Sequence, residues 1–170
     1  MPLPDLTRHI LEHTIHQPRT ERVWYGPWSS ILTTLFPSTE GFLVAPNQKF
    51  IEEDENEFTI SFEVSKRVQP GDLKLQIVLI VEIKNSHQWP GGAERLFAQI
   101  RKNANVAFSR SQTTIKTVYW ISVMGPHWRY GSKEDDGQLN LTPLIPWHDT
   151  THDDASFNDL QTLAERVRAL

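Results

Sequence analysis

An acid and a lysine two residues apart close a long apolar run. Ile77 to Val81 are five consecutive apolar residues, and Glu82, Ile83 and Lys84 follow them. A run so rich in Ile and Val is typical of a strand buried on both faces. Alternate side chains of a strand leave the same face, so Glu82 and Lys84 are expected side by side. Such a pair is either an ordinary strand-end ion pair, or a divalent-metal ligand beside a cation that stabilises charge on a phosphate.

A second acid is expected from the strand that precedes this run. Residues 57–64 alternate polar and apolar side chains, and Pro70-Gly71 marks a turn before the apolar run. Hairpin symmetry about residues 69–70 places Glu57 opposite Glu82, so that two carboxylates and Lys84 converge. Asp54, in the acidic stretch just before this strand, is the alternative to Glu57 as the second metal ligand.

The rest of the pattern predicts one α/β domain over residues 1–170, with a central mixed sheet flanked by helices. The order strand, helix, strand over residues 73–124 indicates a right-handed crossover between two parallel strands. Residues 127–137 look turn-rich, and residues 141–150 look extended and broken by proline. The predicted segments are N-terminal helices within 5–36, a core over 42–124 that includes a helix at 93–109, and a C-terminal helix at 154–169.

Composition limits the classes of partner. The formal net charge of −4 gives no overall basic field, so a nucleic-acid surface has to be a local patch. The candidates for that patch are Arg95, Arg101, Lys102 and Arg129. The absence of cysteine excludes disulfides and thiolate metal sites. No secretory signal and no membrane-spanning run are evident, so we expect an intracellular protein, cytoplasmic or nuclear, without a membrane partner.

Two histidine-containing segments also have the residue types of metal sites. His9, Glu12 and His13 form an H-x-x-E-H pattern, as in some zinc peptidases. No segment evidently supplies a third ligand, so we interpret them as one solvated helix face. A second group, made of His148, Asp149, His152 and Asp153, precedes the last helix, and a helix cap with its loop explains it better.

Taken together, these segments resemble the PD-(D/E)XK nuclease-like superfamily, most closely its uncharacterised fungal members. The similar pieces lie within about residues 20–130 and include ERVWYGPWSSIL, FLVAPNQ, EFTISFEV, VLIVEIKN, FAQIRKNANVAF and YWISVMGPHWRY. The resemblance implies a restriction-endonuclease-like core and hydrolysis of phosphodiester bonds in DNA or RNA. The cofactor that it implies is Mg²⁺ or Mn²⁺.

The resemblance also assigns roles to individual residues. Glu57 matches the first metal-binding acid, although the family usually has Asp there, and Glu82 and Lys84 match the E-x-K motif. Gln99 matches a polar helix residue near the site, and Glu21 matches an accessory acid. The alternative is a catalytically inactive nuclease-fold module for protein or nucleic-acid interaction. The Glu57 replacement, the net charge and the surface candidates Trp89, Trp128 and Trp147 favour that alternative. Packing in the core or under a loop is the commoner role for such tryptophans.

Overall fold

The computed structural model describes residues 5–15, 22–50, 58–68, 74–84, 89, 91–110 and 116–170. The helices are α1 (Asp5–Ile15), α2 (Arg22–Leu35), α3 (Ala93–Arg110) and α4 (Asp154–Arg168). The strands are β1 (Phe42–Phe50), β2 (Phe58–Arg67), β3 (Leu75–Lys84), β4 (Thr117–Met124), β5 (His127–Glu134) and β6 (Thr142–Pro143). The predicted α/β class with a central mixed sheet is confirmed.

The strands form one six-stranded sheet in sequence order, from β1 to β6. All neighbours are antiparallel except β3 and β4, which are parallel and joined by α3. The predicted antiparallel pairing of β2 and β3, and the predicted parallel pairing of the two strands joined by α3, are therefore confirmed. The turn-rich interpretation of residues 127–137 is wrong, because most of that segment forms β5. Its polar residues hide the pattern, yet pairing with β4 buries Trp128 and Tyr130.

Helices cover both faces of the sheet. The larger apolar cluster joins one face to α1, α2 and α4, with Trp28, Ile31, Leu32, Leu160 and Leu163 fully buried at its centre. On the other face α3 packs alone, through Leu96 and Ile100 against Trp120 and Met124, and through Ala104 and Ala107 against Ile80 and Val118. Among the described residues, no helix is both long and apolar enough to cross a membrane.

Trp128 belongs to the core and not to the surface. It is fully buried, its ring lies edge-on to Trp28 at 5.9 Å, and its Nε1 donates a hydrogen bond to the carbonyl oxygen of Thr150 at 2.8 Å. For Trp128 the core interpretation is therefore confirmed, and the surface alternative is wrong. Trp89 and Trp147 are half-buried and contact each other on the α3 side of the sheet.

The register of the β2–β3 hairpin differs from the predicted one by four residues. Ser61, and not Glu57, lies opposite Glu82. A β-bulge leaves Val78 without a partner, because Val64 pairs with Leu79 while Ser65 pairs with Ile77. Symmetry about an assumed turn centre cannot anticipate a bulge or the true centre of the pairing. The predicted approach of Glu57 to Glu82 by direct pairing is thus wrong.

Gly131 is required by a close approach in the middle of β5. A Cβ atom at this position would collide with the Trp120 ring and with the carbonyl oxygen of Thr142. We therefore expect Gly131→Ala to destabilise the fold by about 1–3 kcal/mol, as overpacking of a core does. Urea denaturation measures this. Gly26→Ala is the matched control, since a Cβ there meets nothing within 4 Å; an equal loss in both variants would contradict the steric explanation.

Asp153 is the N-cap of α4, and its carboxylate accepts a hydrogen bond from the Ser156 backbone N–H at 2.7 Å. Burial acts to raise the pKa of Asp153, but the bonds from Ser156 and the nearby His148 and His152 outweigh it and lower the pKa. A carboxyl with a lowered folded-state pKa stabilises the protein above its unfolded pKa. That contribution is lost as the pH falls through the folded-state pKa.

We accordingly expect Asp153→Ala to cost about 0.5–2 kcal/mol near pH 7. The difference from wild type should shrink as the pH falls below about 4, the ordinary aspartate pKa, and on through the lowered pKa of the folded state. Urea denaturation near pH 7 and below about pH 4 measures the change. Asp153→Asn keeps the capping oxygen but does not titrate, so its stability relative to Asp153→Ala should not vary with pH. A wild-type advantage that is constant with pH would contradict the charge contribution.

Candidate functional site

Glu82 and Lys84 lie together at the end of β3, on the face covered by α3. The Glu82 residue is 0% exposed and Lys84 is 3% exposed. Their Cα atoms are about 6.6 Å apart along the strand, at about 3.3 Å per residue. Both residues have interactions within the fold. The geometry of the strand places the two residues on the same face, as predicted. Both lie in the interior of the protein and not on an open surface.

Asn103 on α3 holds the Glu82 carboxylate. Its Nδ2 donates a short hydrogen bond to Glu82 Oε1, and Asn103 itself is buried. Gln99 lies one helical turn earlier, and its Nε2 donates to Asn103 Oδ1 at 3.5 Å. The two amides and the carboxylate therefore form a chain from the edge of the helix to the strand. Gln99 reaches Glu82 through Asn103, a residue that the sequence reasoning left among the unassigned polar positions of this helix.

Polar residues also form a row across four strands through Glu82. Ser61 on β2 and Ser122 on β4 pair with Glu82 from its two sides, and both serines are buried. Arg129 on β5 pairs with Ser122 in turn. Directly paired residues share one face of a sheet. The Cα atoms of Glu82 and Arg129 are thus about 10 Å apart, since each strand spacing is about 4.8 Å.

Arg129 is held by two aromatic rings. Its guanidinium carbon lies 4.5 Å from the Phe97 ring centre and 4.8 Å from the Trp147 ring centre. Its Nε is buried and has no hydrogen-bond partner. Burial lowers the pKa of Arg129, and attraction to Glu94 opposes that shift. The side chain is therefore fixed by stacking and not by hydrogen bonds.

The rings around Arg129 continue into an aromatic cluster, formed by Trp89, Phe97, His127 and Trp147. His127 stacks on Trp89 at 4.4 Å, and Trp89 meets Trp147 edge-on at 4.6 Å. His127 Nδ1 also lies 3.2 Å from an Asp149 carboxylate oxygen. All four members are half-buried. This cluster closes the edge of the α3 face at the same end of the sheet as Lys84, because His127 is in register with Met124 and through it with Lys84.

The other predicted basic contacts lie on α3. Arg95 and Lys102 are exposed, and Arg101 is half-buried. Lys102 lies on the side of the helix away from the sheet, because Ile100, Ala104 and Ala107 occupy the buried stripe. The structure therefore places Arg129 in the row of Glu82 and the other three basic residues on the helix that covers this face.

The predicted acids beside Glu82 lie outside the described residues. These are Glu57, its alternative Asp54, and the accessory Glu21. Within the described part of the chain, no three His, Asp or Glu side chains come together as a metal-binding group. This includes the described histidines of both metal-like segments. His148 instead pairs with Asp159 at 2.7 Å and stacks on Trp128, and Asp153 caps α4.

A separate pocket of about 380 Å³ lies at the other end of β5. Its lining includes Phe108, Lys133, Gln138 and Leu139, and none of Glu82, Lys84 and Asn103. The Lys133 ammonium donates to the carbonyl oxygens of Gln138 at 2.6 Å and Glu134 at 3.0 Å. These bonds tie the chain that follows β5 to the strand, which gives this buried lysine a structural role.

Comparison with known proteins found no matching family model, no matching curated protein and no matching solved structure. The arguments about function therefore depend on the geometry of this chain.

The bond from Asn103 to Glu82 can be tested against a neighbour on the same helix. Asn103→Ala removes a buried donor to a carboxylate, and we expect a loss of about 1–3 kcal/mol in the free energy of unfolding. Asn105→Ala makes the same chemical change at an exposed position, so it should be neutral or slightly stabilising. Urea denaturation compares the two variants. Combining each variant with Glu82→Ala, which removes the acceptor, in a double-mutant cycle should show coupling for Asn103 alone. Equal effects at the two asparagines would contradict the assignment.

Proposed function

We propose that this protein is a divalent-metal-dependent nuclease that hydrolyses phosphodiester bonds of DNA or RNA. The observation that carries the proposal is the placement of Glu82 and Lys84 on one face at the end of a buried strand, with Asn103 fixing the carboxylate. A buried carboxylate beside an ammonium costs desolvation energy, and replacement by apolar residues is often neutral or stabilising. Retention of both charges next to a row of polar residues is more typical of a site than of a core.

The described donors around Glu82 suit a hard cation, although they form only part of a metal site. They are oxygens, from the Glu82 carboxylate and from the Ser61 and Ser122 hydroxyl groups that flank it. Mg²⁺ is commonly bound by one or two carboxylates, together with waters and substrate phosphates. Glu82 would be the protein ligand among the described residues. A second carboxylate would come from Glu57 or Asp54, outside the described residues. When bound, Mg²⁺ or Mn²⁺ polarises a phosphoryl oxygen and activates a water.

The roles of the protein side chains follow from their positions. Asn103 fixes the orientation of the Glu82 carboxylate, and Gln99 fixes Asn103. Lys84 places a positive charge where negative charge develops on the phosphate during hydrolysis. The low exposure of both residues strengthens these electrostatic effects, because water is excluded from around them.

A catalytically inactive nuclease-fold module is the second candidate, and a specific observation favours it. Glu82 is 0% exposed, and one of its oxygens already accepts the bond from Asn103. In that case Glu82 and Lys84 serve the packing between α3 and the sheet. The solvent-accessible half of the aromatic cluster would then provide the contacts with a protein or nucleic-acid partner. The two candidates differ in one measurable property, which is binding of a divalent metal.

For the nuclease, Glu82→Gln should reduce cleavage of DNA or RNA by about a hundredfold or more, because it removes the ligand charge. The domain should stay folded, since the amide oxygen still accepts the bond from Asn103. Plasmid, single-stranded DNA and RNA are assayed with Mg²⁺ or Mn²⁺, and melting is measured with and without Mn²⁺. Wild type should melt at a higher temperature with Mn²⁺, and Glu82→Gln should lose that shift.

Glu165→Gln is the matched control, because Glu165 is an exposed acid on α4, across the sheet from this site. It should keep both cleavage and the Mn²⁺ shift. Lys84→Ala should lose cleavage but keep most of the Mn²⁺ shift, since an ammonium is not a metal ligand. A wild-type protein that gains no stability from Mn²⁺ and cuts none of the three substrates would defeat the nuclease proposal and leave the inactive module.

A further inference from the structure

The half-buried Arg129 differs from Lys133, the buried cation on the same strand. Arg129 and Lys133 lie on the same face of β5, four residues apart. The Lys133 ammonium is hydrogen-bonded to two backbone carbonyl oxygens. The Arg129 guanidinium has a buried Nε with no partner, and no carboxylate of the described residues lies within ion-pair distance of it. Of these two cations, only Arg129 is left with donors that the fold does not use.

The Arg129 side chain is held in place without hydrogen bonds from its guanidinium nitrogens. Phe97 and Trp147 contact its guanidinium at 4.5 and 4.8 Å, and their ring planes differ by 42°. Each such cation–π contact contributes about 0.5–2 kcal/mol, depending on desolvation. The two ring centres are 6.4 Å apart, so the rings meet the guanidinium from two adjacent directions and do not enclose it. An arginine held in this way presents a rigid fork, and a fork matches the oxygens of a phosphate.

The terminal nitrogens of Arg129 are accessible. Its Nε is buried without a partner, but the two terminal nitrogens are not among the buried unsatisfied atoms of the described residues. They form no hydrogen bond with the described part of the chain, so they reach solvent. An anion can therefore approach the terminal nitrogens from outside without displacing a protein partner.

The location points to the anion's identity. Arg129 lies in the same row across the sheet as Glu82, at about 10 Å between Cα atoms, or two strand spacings. The fork lies beside half-buried aromatic rings, and nucleic-acid-binding grooves combine cations for the backbone with aromatic rings for the bases.

We propose that Arg129, held against Phe97 and Trp147, binds a backbone phosphodiester of a nucleic acid and so positions the strand relative to Glu82. This inference deepens the proposed function and rests on it for the identity of the anion. Arg129 acts as a positioning residue. Its contact is with a phosphate, so it does not depend on sequence. The negative charge of Glu94 acts on Arg129 from beyond ion-pair distance, so it opposes the binding of an anion there.

The test measures binding without cleavage. Fluorescence anisotropy of labelled single-stranded and duplex oligonucleotides is recorded in EDTA, over a range of salt concentrations. Arg129→Lys should weaken binding about tenfold or more, because it keeps the charge but loses the fork. Arg129→Gln should weaken it further and lower the slope of affinity against salt by about one. Glu94→Gln should tighten binding about twofold.

Lys116→Gln is the matched control, because it also removes one positive charge, but at an exposed position before the start of β4. It should leave the affinity nearly unchanged. Should Arg129→Gln fail to fold, Arg129→Lys and Glu94→Gln still carry the test, since both keep the surroundings of the stack. Inorganic phosphate is titrated as a competitor, and it should displace the oligonucleotide from wild type but have little effect on Arg129→Lys.

The outcomes separate this inference from the proposed nuclease. Metal-dependent cleavage by a wild type whose binding is unaffected by Arg129→Lys would overturn the role of Arg129 and leave the nuclease intact. If the protein binds nucleic acid through Arg129 but cuts none of the substrates, the phosphate contact is supported and the nuclease proposal is wrong. Binding of inorganic phosphate through Arg129, without binding of either oligonucleotide, would overturn the nucleic-acid assignment.

Discussion

The burial of the Glu82 carboxylate is the constraint on which the α3 side of the molecule depends. A carboxylate removed from water has to be compensated by donors or cations, because an isolated buried charge is very costly. Asn103 provides one donor, and it can do so only if α3 crosses the sheet at a fixed height above β3. The apolar contacts of Ile100 and Ala104 on the same helix set that height. The apolar contacts of α3 and its hydrogen bond to Glu82 therefore require the same position of the helix. Such agreement is expected of a well-specified fold.

Most of the fold was predictable from segments with a clear pattern of apolar residues. The run of β3 is continuously apolar and the apolar stripe of α3 recurs at the helical period, so both were predictable. β5 was not, since its alternation is interrupted by Gly131 and by charged residues that are held inside the fold. Gly131 is there to admit the Trp120 ring, a long-range contact that no local pattern records. The exact pairing of β2 with β3 was equally hidden, because the bulge at Val78 shifts it.

The site was predictable in part for the same reason. Glu82 and Lys84 were recognisable because two charges at the end of an apolar run are unusual. Asn103 was overlooked although a signal existed, since it falls within the buried stripe next to Ala104 and one turn after Gln99. A polar amide in that stripe requires a buried partner. Arg129 could be listed as a cation, but its stacking against Phe97 and Trp147 depends on a tryptophan from a distant segment. Such a contact arises only from the tertiary arrangement.

The polar residues on the two flanks of helix α3 differ in their access to solvent. On one flank Gln99 and Asn103 lead to Glu82, which is closed to solvent. On the other flank Phe97 holds Arg129, whose terminal nitrogens reach solvent. On the proposed function, a phosphodiester therefore contacts the accessible cation before any group reaches the buried carboxylate. Catalysis then requires the strand end to open, whereas binding through Arg129 requires no such movement. An inactive module would still bind through Arg129, but its strand end would not open. The two proposed functions therefore differ in whether Glu82 becomes accessible.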